Sequence, residues 1–122
     1  MEDFEPHARL FRTLMHPARL AILEMLRDRE ECVCHLEAAL GYRQAYISQQ
    51  LMVLRDAGLV KDRREGWNNY YRVVQSEIFA VIEAAGAVTS GGRRRGARLP
   101  RPATLDNCPC PRCAPEAQPV PR

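Results

Sequence analysis

The stretch from Glu31 to Val60, ECVCHLEAALGYRQAYISQQLMVLRDAGLV, constrains the fold more than any other part of the chain. Val33, Leu36, Ala39 and Leu40 recur at helical spacing, and Gly41-Tyr42-Arg43 then breaks the pattern. A second apolar set follows at Ile47, Leu51 and Leu54, until Gly58 supplies a stop. Two short helices joined by a tight glycine-containing turn predict a helix-turn-helix. Its second helix would present Gln44, Tyr46, Ser48, Gln49 and Gln50, whose side chains can hydrogen-bond base edges and phosphates.

After Gly58 the apolar period shortens from helical to strand-like. Leu59–Arg64 and Asn69–Val74 flank Glu65-Gly66-Trp67-Asn68, which predicts a hairpin directly behind the reading helix: a wing. Arg63 and Arg64, near its tip, are expected to contact phosphates or the minor groove, and Trp67 is expected to pack. Upstream, Phe4, Leu10, Phe11 and Leu14 fall on one face of a first helix. Pro17 suits the first turn of a second helix, with Leu20, Ile22, Leu23 and Leu26 as its stripe. Ser76 is a candidate N-cap for a last helix carrying Ile78, Phe79, Val81, Ile82 and Ala85.

Three segments carry a resemblance. Cys32-Val33-Cys34-His35-Leu36, Ile47-Ser48-Gln49-Gln50-Leu51 with Leu54–Val60, and Leu14–Leu23 are similar to the ArsR/SmtB family of metal-responsive winged-helix repressors. The likeness covers about residues 8–88. It implies a mainly α fold with a small β-hairpin, a winged helix-turn-helix that dimerises through its first and last helices. It also implies a repressor that leaves double-stranded operator DNA when a metal ion binds thiolates at the Cys32-Val33-Cys34 box.

The sequence departs from the family pattern at several positions. Arg43 stands where the family often has a serine cap, and Gln50 where it often has histidine, so an operator preference does not transfer; Arg43 remains a candidate phosphate contact. Glu37 occupies the position at which some members carry a third cysteine, and residues 1–31 contain none. Residues 76–88 offer only Glu77 and Glu83, which argues against the family's interfacial zinc site.

Composition sets bounds on the rest. A chain of 122 residues suits one small domain, residues 1–88, and a tail, residues 89–122. The tail, with Arg93-Arg94-Arg95 and recurring prolines, reads as a disordered basic segment holding seven basic against two acidic residues. Residues 43–72 are locally basic, which suits contact with a phosphate backbone. No apolar run is long enough for a membrane span, and the acidic N-terminus does not resemble a signal peptide; a cytoplasmic protein is expected.

Five cysteines in a reducing compartment point to metal or redox chemistry rather than a disulfide framework. Cys32 and Cys34 are expected on the supporting helix itself, where positions two apart point about 200° away from each other, so joint ligation is expected to unwind the helix end and reorient the reading helix packed on it. The further ligands are expected from Cys108, Cys110 and Cys113 in the tail, since residues 89–107 can extend about 60 Å. Three thiolates suit As(III) or Sb(III), and four suit Cd(II) or Zn(II), with Pb(II) a further soft candidate. His35 is a weaker ligand candidate, and His7 and His16 weaker still. The alternative is a redox repressor switched by a disulfide at Cys32–Cys34 or within the tail. An enzyme is not expected: Cys110-Pro111-Arg112-Cys113 lacks the strand–helix context of a thioredoxin-like site, and no nucleophile–base pattern or phosphate loop appears.

Overall fold

The computed structural model describes residues 2–90. A 3-10 turn, Glu2–Phe4, leads into α1 (Glu5–Leu14), α2 (Pro17–Met25), β1 (Glu31–Cys32), α3 (Val33–Leu40), α4 (Gln44–Asp56), β2 (Val60–Glu65), β3 (Asn68–Val73) and α5 (Ile78–Ser90). Pro17 opens α2 behind an extended His16, where a missing N–H costs nothing. Helix α3 ends at Gly41, and α4 begins three residues later, so the helix-turn-helix forms as its spacing predicts.

Gly58 ends α4 in a Schellman arrangement. Its φ is 79°, the Leu59 N–H donates to the Leu54 carbonyl at 3.0 Å, and the Gly58 N–H donates to the Arg55 carbonyl at 2.9 Å. This turn aims the chain from the reading helix straight into β2. The wing closes through a two-residue loop, Gly66-Trp67, because Glu65 pairs with Asn68. Gly66 has φ 59° and Trp67 does not have positive φ, the pattern of a II′ turn.

The sheet has one more strand than the hairpin reading anticipates. Its order is β1-β3-β2, all antiparallel, with Glu31 opposite Tyr71 and Cys32 opposite Tyr70. A two-residue strand has no periodicity to betray it, and only β3 shows that it pairs. Ser76 does not cap α5: the helix starts at Ile78, after a turn in which the Phe79 N–H donates to the Ser76 carbonyl. Helix α5 also continues to Ser90, beyond the anticipated boundary at 88.

The main core joins the five helices to β2 and β3. Ile22, Leu23, Met25 and Leu26 of the α2 region meet Leu36, then Ile47, Leu51 and Leu54 of α4, Val60, Tyr71, Ile78 and Phe79. The terminal helices use only part of their apolar surface there. Leu14 is buried, whereas Phe4, Phe11, Met15 and Val88 are exposed.

Candidate nucleic-acid interface and thiol site

Helix α4 divides its residues by face. Ile47, Leu51 and Leu54 point into the core, which leaves Arg43, Gln44, Tyr46 and Gln49 exposed and Ser48 half-buried. Arg43 precedes the helix in extended conformation and makes no side-chain cap, so its guanidinium stays at the surface. The Tyr46 ring lies against that of Tyr42, with centroids 5.0 Å apart.

Gln50 is placed differently from its sequence expectation. It is 8% exposed, and its Oε1 accepts from Arg19 Nε at 2.8 Å, while Arg19 Nη1 donates to the Thr13 carbonyl at 3.0 Å. The residue ties α4 to α1 and α2 and does not join the exposed set. Gln50→Ala is therefore expected to lower the unfolding free energy by about 1–3 kcal/mol, because Arg19 loses a part-buried acceptor. Urea denaturation measures that loss, and a panel of operator variants should show unchanged sequence preference.

On the wing, Arg64 is exposed. Arg63 is held by neighbours: it pairs with Glu30 and with Glu65 at 2.9 Å, and its guanidinium lies 4.9 Å from the Tyr70 ring centroid. The hydrogen bond to Glu30, then that to Glu65, raises its pKa further, so the charge is permanent. Trp67 does not pack as expected; at the hairpin tip it is 72% exposed. Tyr42 and Met52 are further exposed side chains on this surface that sequence reasoning passed over. The available signal was that Met52 falls off the Ile47–Leu51–Leu54 stripe.

The thiols sit at the base of this assembly. Cys32 is not in the helix but is its N-cap, with φ −79° and ψ 159°. Its Sγ accepts the His35 N–H at 3.2 Å, and Cys34 lies in the first helical turn. The extended backbone at Cys32 turns the two side chains toward one another, and Sγ meets Sγ at 2.7 Å. The divergence by about 200° anticipated for two helical positions does not apply. The two sulfurs face one another with α3 intact.

The surroundings of the pair are apolar. Cys34, Ala38 and Tyr70 pack against the buried Cys32. His35, adjacent in sequence, is buried beside Glu31, with Nε2 and Oε2 3.7 Å apart, and Arg29 Nε lies 3.3 Å from the same oxygen. Among the described residues, no group of three or more His, Cys, Asp or Glu side chains is placed to hold an ion. His7 lies beside Phe4 on α1, and His16 stands at the start of α2. Cys108, Cys110 and Cys113, with the whole segment 91–122, lie outside the described residues. The described part thus provides two converging thiols, which fit a soft ion as an incomplete ligand set.

A helix-turn-helix followed by a two-stranded wing defines a winged-helix DNA-binding regulator. Residues 16–62 match the model for "Bacterial regulatory protein, arsR family". A "Biofilm growth-associated repressor" of Agrobacterium fabrum is 46% identical over 79 residues, covering 65% of this chain and 68% of that protein. A "Transcriptional repressor SmtB homolog" of Synechocystis sp. is 36% identical over 78 residues, 64% of this chain and 59% of that protein. Among solved structures, reduced HlyU from Vibrio cholerae superposes with a TM-score of 0.65 at 31% identity, over 73% of this chain and 94% of that one. A homodimeric winged helix-turn-helix DNA-binding domain from Mycobacterium bovis gives 0.64 at 28% identity, over 75% and 84%. The chain belongs to the arsR family. It is a DNA-binding transcriptional regulator and not an enzyme. No helix among the described residues is long and apolar enough to cross a membrane.

Proposed function

We propose that this protein is a cytoplasmic, homodimeric repressor that leaves its operator when As(III) or a soft divalent ion binds the Cys32–Cys34 pair. Cadmium leads the divalent candidates, with zinc and lead behind it. The observation that carries the reading is the meeting of two thiols at 2.7 Å, directly before the helix-turn-helix. Two thiolates at one point suit soft ions over magnesium, calcium or manganese. Similarity to the Synechocystis repressor homologue supports a metal effector, and the exposed apolar residues of α1 and α5 support a dimer through those helices.

Cys108, Cys110 and Cys113 complete the ligand set, in cis or from the partner protomer. Serine at all three is expected to weaken arsenite binding roughly 10²-fold, because ligands tethered at high effective concentration are lost. Isothermal titration of the full chain under reductant measures this. Arg43 before α4, Gln44, Tyr46, Ser48 and Gln49 on it, and Arg63 and Arg64 on the wing form the DNA-contacting set. The direct test of the whole reading is fluorescence anisotropy on the protein's own upstream DNA, titrated separately with arsenite, cadmium and zinc. Release by none of them removes the metal effector.

A second reading is favoured by the likeness to reduced HlyU and by the absence of a third ligand among the described residues. In it, Cys32 and Cys34 close to a disulfide, giving two protons and two electrons to hydrogen peroxide, which leaves as two waters. Release by peroxide in metal-free buffer, reversed by dithiothreitol, would select it.

A further inference from the structure

The register of the small sheet places one row of side chains on the face away from the core. Cys32 lies opposite Tyr70 on β3, and Tyr70 lies opposite Arg63 on β2. Residues directly paired in an antiparallel sheet share a face and touch. The neighbouring row, Glu31, Tyr71 and Asp62, takes the other face, where Glu31 and Tyr71 are buried. Two contacts connect the outer row. Tyr70 packs in the cluster with Cys32, Cys34 and Ala38, and the Arg63 guanidinium lies 4.9 Å from the Tyr70 ring centroid. Arg63 is then fastened to Glu30, two residues before Cys32, and to Glu65 at the edge of the hairpin turn.

We infer that Tyr70 is the positioning residue through which the Cys32–Cys34 pair sets the wing. This rests on the reading that the pair is the effector site, and it names the route by which the site acts. Because Cys32 already caps α3 with its sulfur beside that of Cys34, the pair changes state without unwinding α3. What must yield is the side chain lying on it. An ion on the sulfurs, or a disulfide between them, changes the surface against which Tyr70 packs, and Tyr70 carries Arg63 and strand β3 with it. The wing moves relative to α4, whose own face is fixed in the core by Ile47, Leu51 and Leu54.

The chain holds a single tryptophan, and it stands at the wing tip, three residues from Tyr70 and outside the thiol cluster. Trp67 emission therefore reports the wing while near-ultraviolet thiolate absorption reports the pair. In full-length protein under reductant, without DNA, arsenite is expected to change Trp67 emission with the same midpoint as the absorption. Cys32→Ser/Cys34→Ser should abolish the change in emission. Tyr70→Phe, which keeps the ring, should behave as wild type, and Tyr70→Ala should keep the arsenite absorption while losing most of the emission change. Emission that stays constant in wild type while the pair fills, or that moves equally in Tyr70→Ala, overturns the relay. If the Cys32–Cys34 pair takes up no arsenite, the effector reading fails separately. The relay is then tested by closing the pair with hydrogen peroxide, verified by a loss of two hydrogens in the mass, and reading the same emission.

Discussion

Replacing Cys32 and Cys34 together by serine is expected to leave operator binding within about threefold of wild type, well under 1.4 kcal/mol, and to abolish release by arsenite. The asymmetry follows from what each sulfur does. Cys32 caps α3 by accepting the N–H of His35, three residues on, and serine is among the best residues for that position. The helix start therefore survives. A hard hydroxyl oxygen does not replace a thiolate toward a soft ion, so the ligand function does not survive. Cys32→Ala separates the two roles, because it also removes the cap and should cost about 1 kcal/mol of stability. Anisotropy with and without arsenite, alongside urea denaturation, reads both quantities. Release of the double-serine protein at the wild-type midpoint would place the effector site away from this pair.

The second large effect is on the fold itself. Leu51→Ala is expected to destabilise the protein by about 2–5 kcal/mol. Leu51 is fully buried in the middle of α4, in the same core as Leu23, Leu36 and Val60. It thus seats the reading helix on the rest of the molecule. Small domains have only about 5–15 kcal/mol in total, so a loss of this size takes much of the stability. The adjacent Met52, 53% exposed, is the control: Met52→Ala should stay within about 0.5 kcal/mol. Denaturant midpoints for the two variants should separate clearly, and equal midpoints would mean that α4 is not held through this face.

The helices were legible because their signals are local and repeated. Ile47, Leu51 and Leu54 recur on one face, and Gly41 and Gly58 mark stops that the backbone confirms with positive φ. The hairpin was legible for the same reason, with Gly66 at its turn. Family membership came from short segments whose spacing is itself specific. Single positions were harder. Gln50 has the chemistry of a base reader, and only its place beside Arg19 shows that its amide is already used. Trp67 has the size of a packing residue, and only its place in the two-residue turn shows that it is exposed among the described residues.

The sequence by itself determined the order of the elements, the faces of α2 and α4, and the presence of two thiols at the entry to the helix-turn-helix. Tertiary structure decided how those thiols meet. Helical periodicity assigns Cys32 and Cys34 to opposite sides, but pairing of Glu31 and Cys32 with β3 holds the backbone extended and starts the helix only at Val33. That pairing joins residues some forty positions apart, and no local pattern encodes it. The same long-range register lines up Cys32, Tyr70 and Arg63, and so puts the thiol pair in contact with the wing.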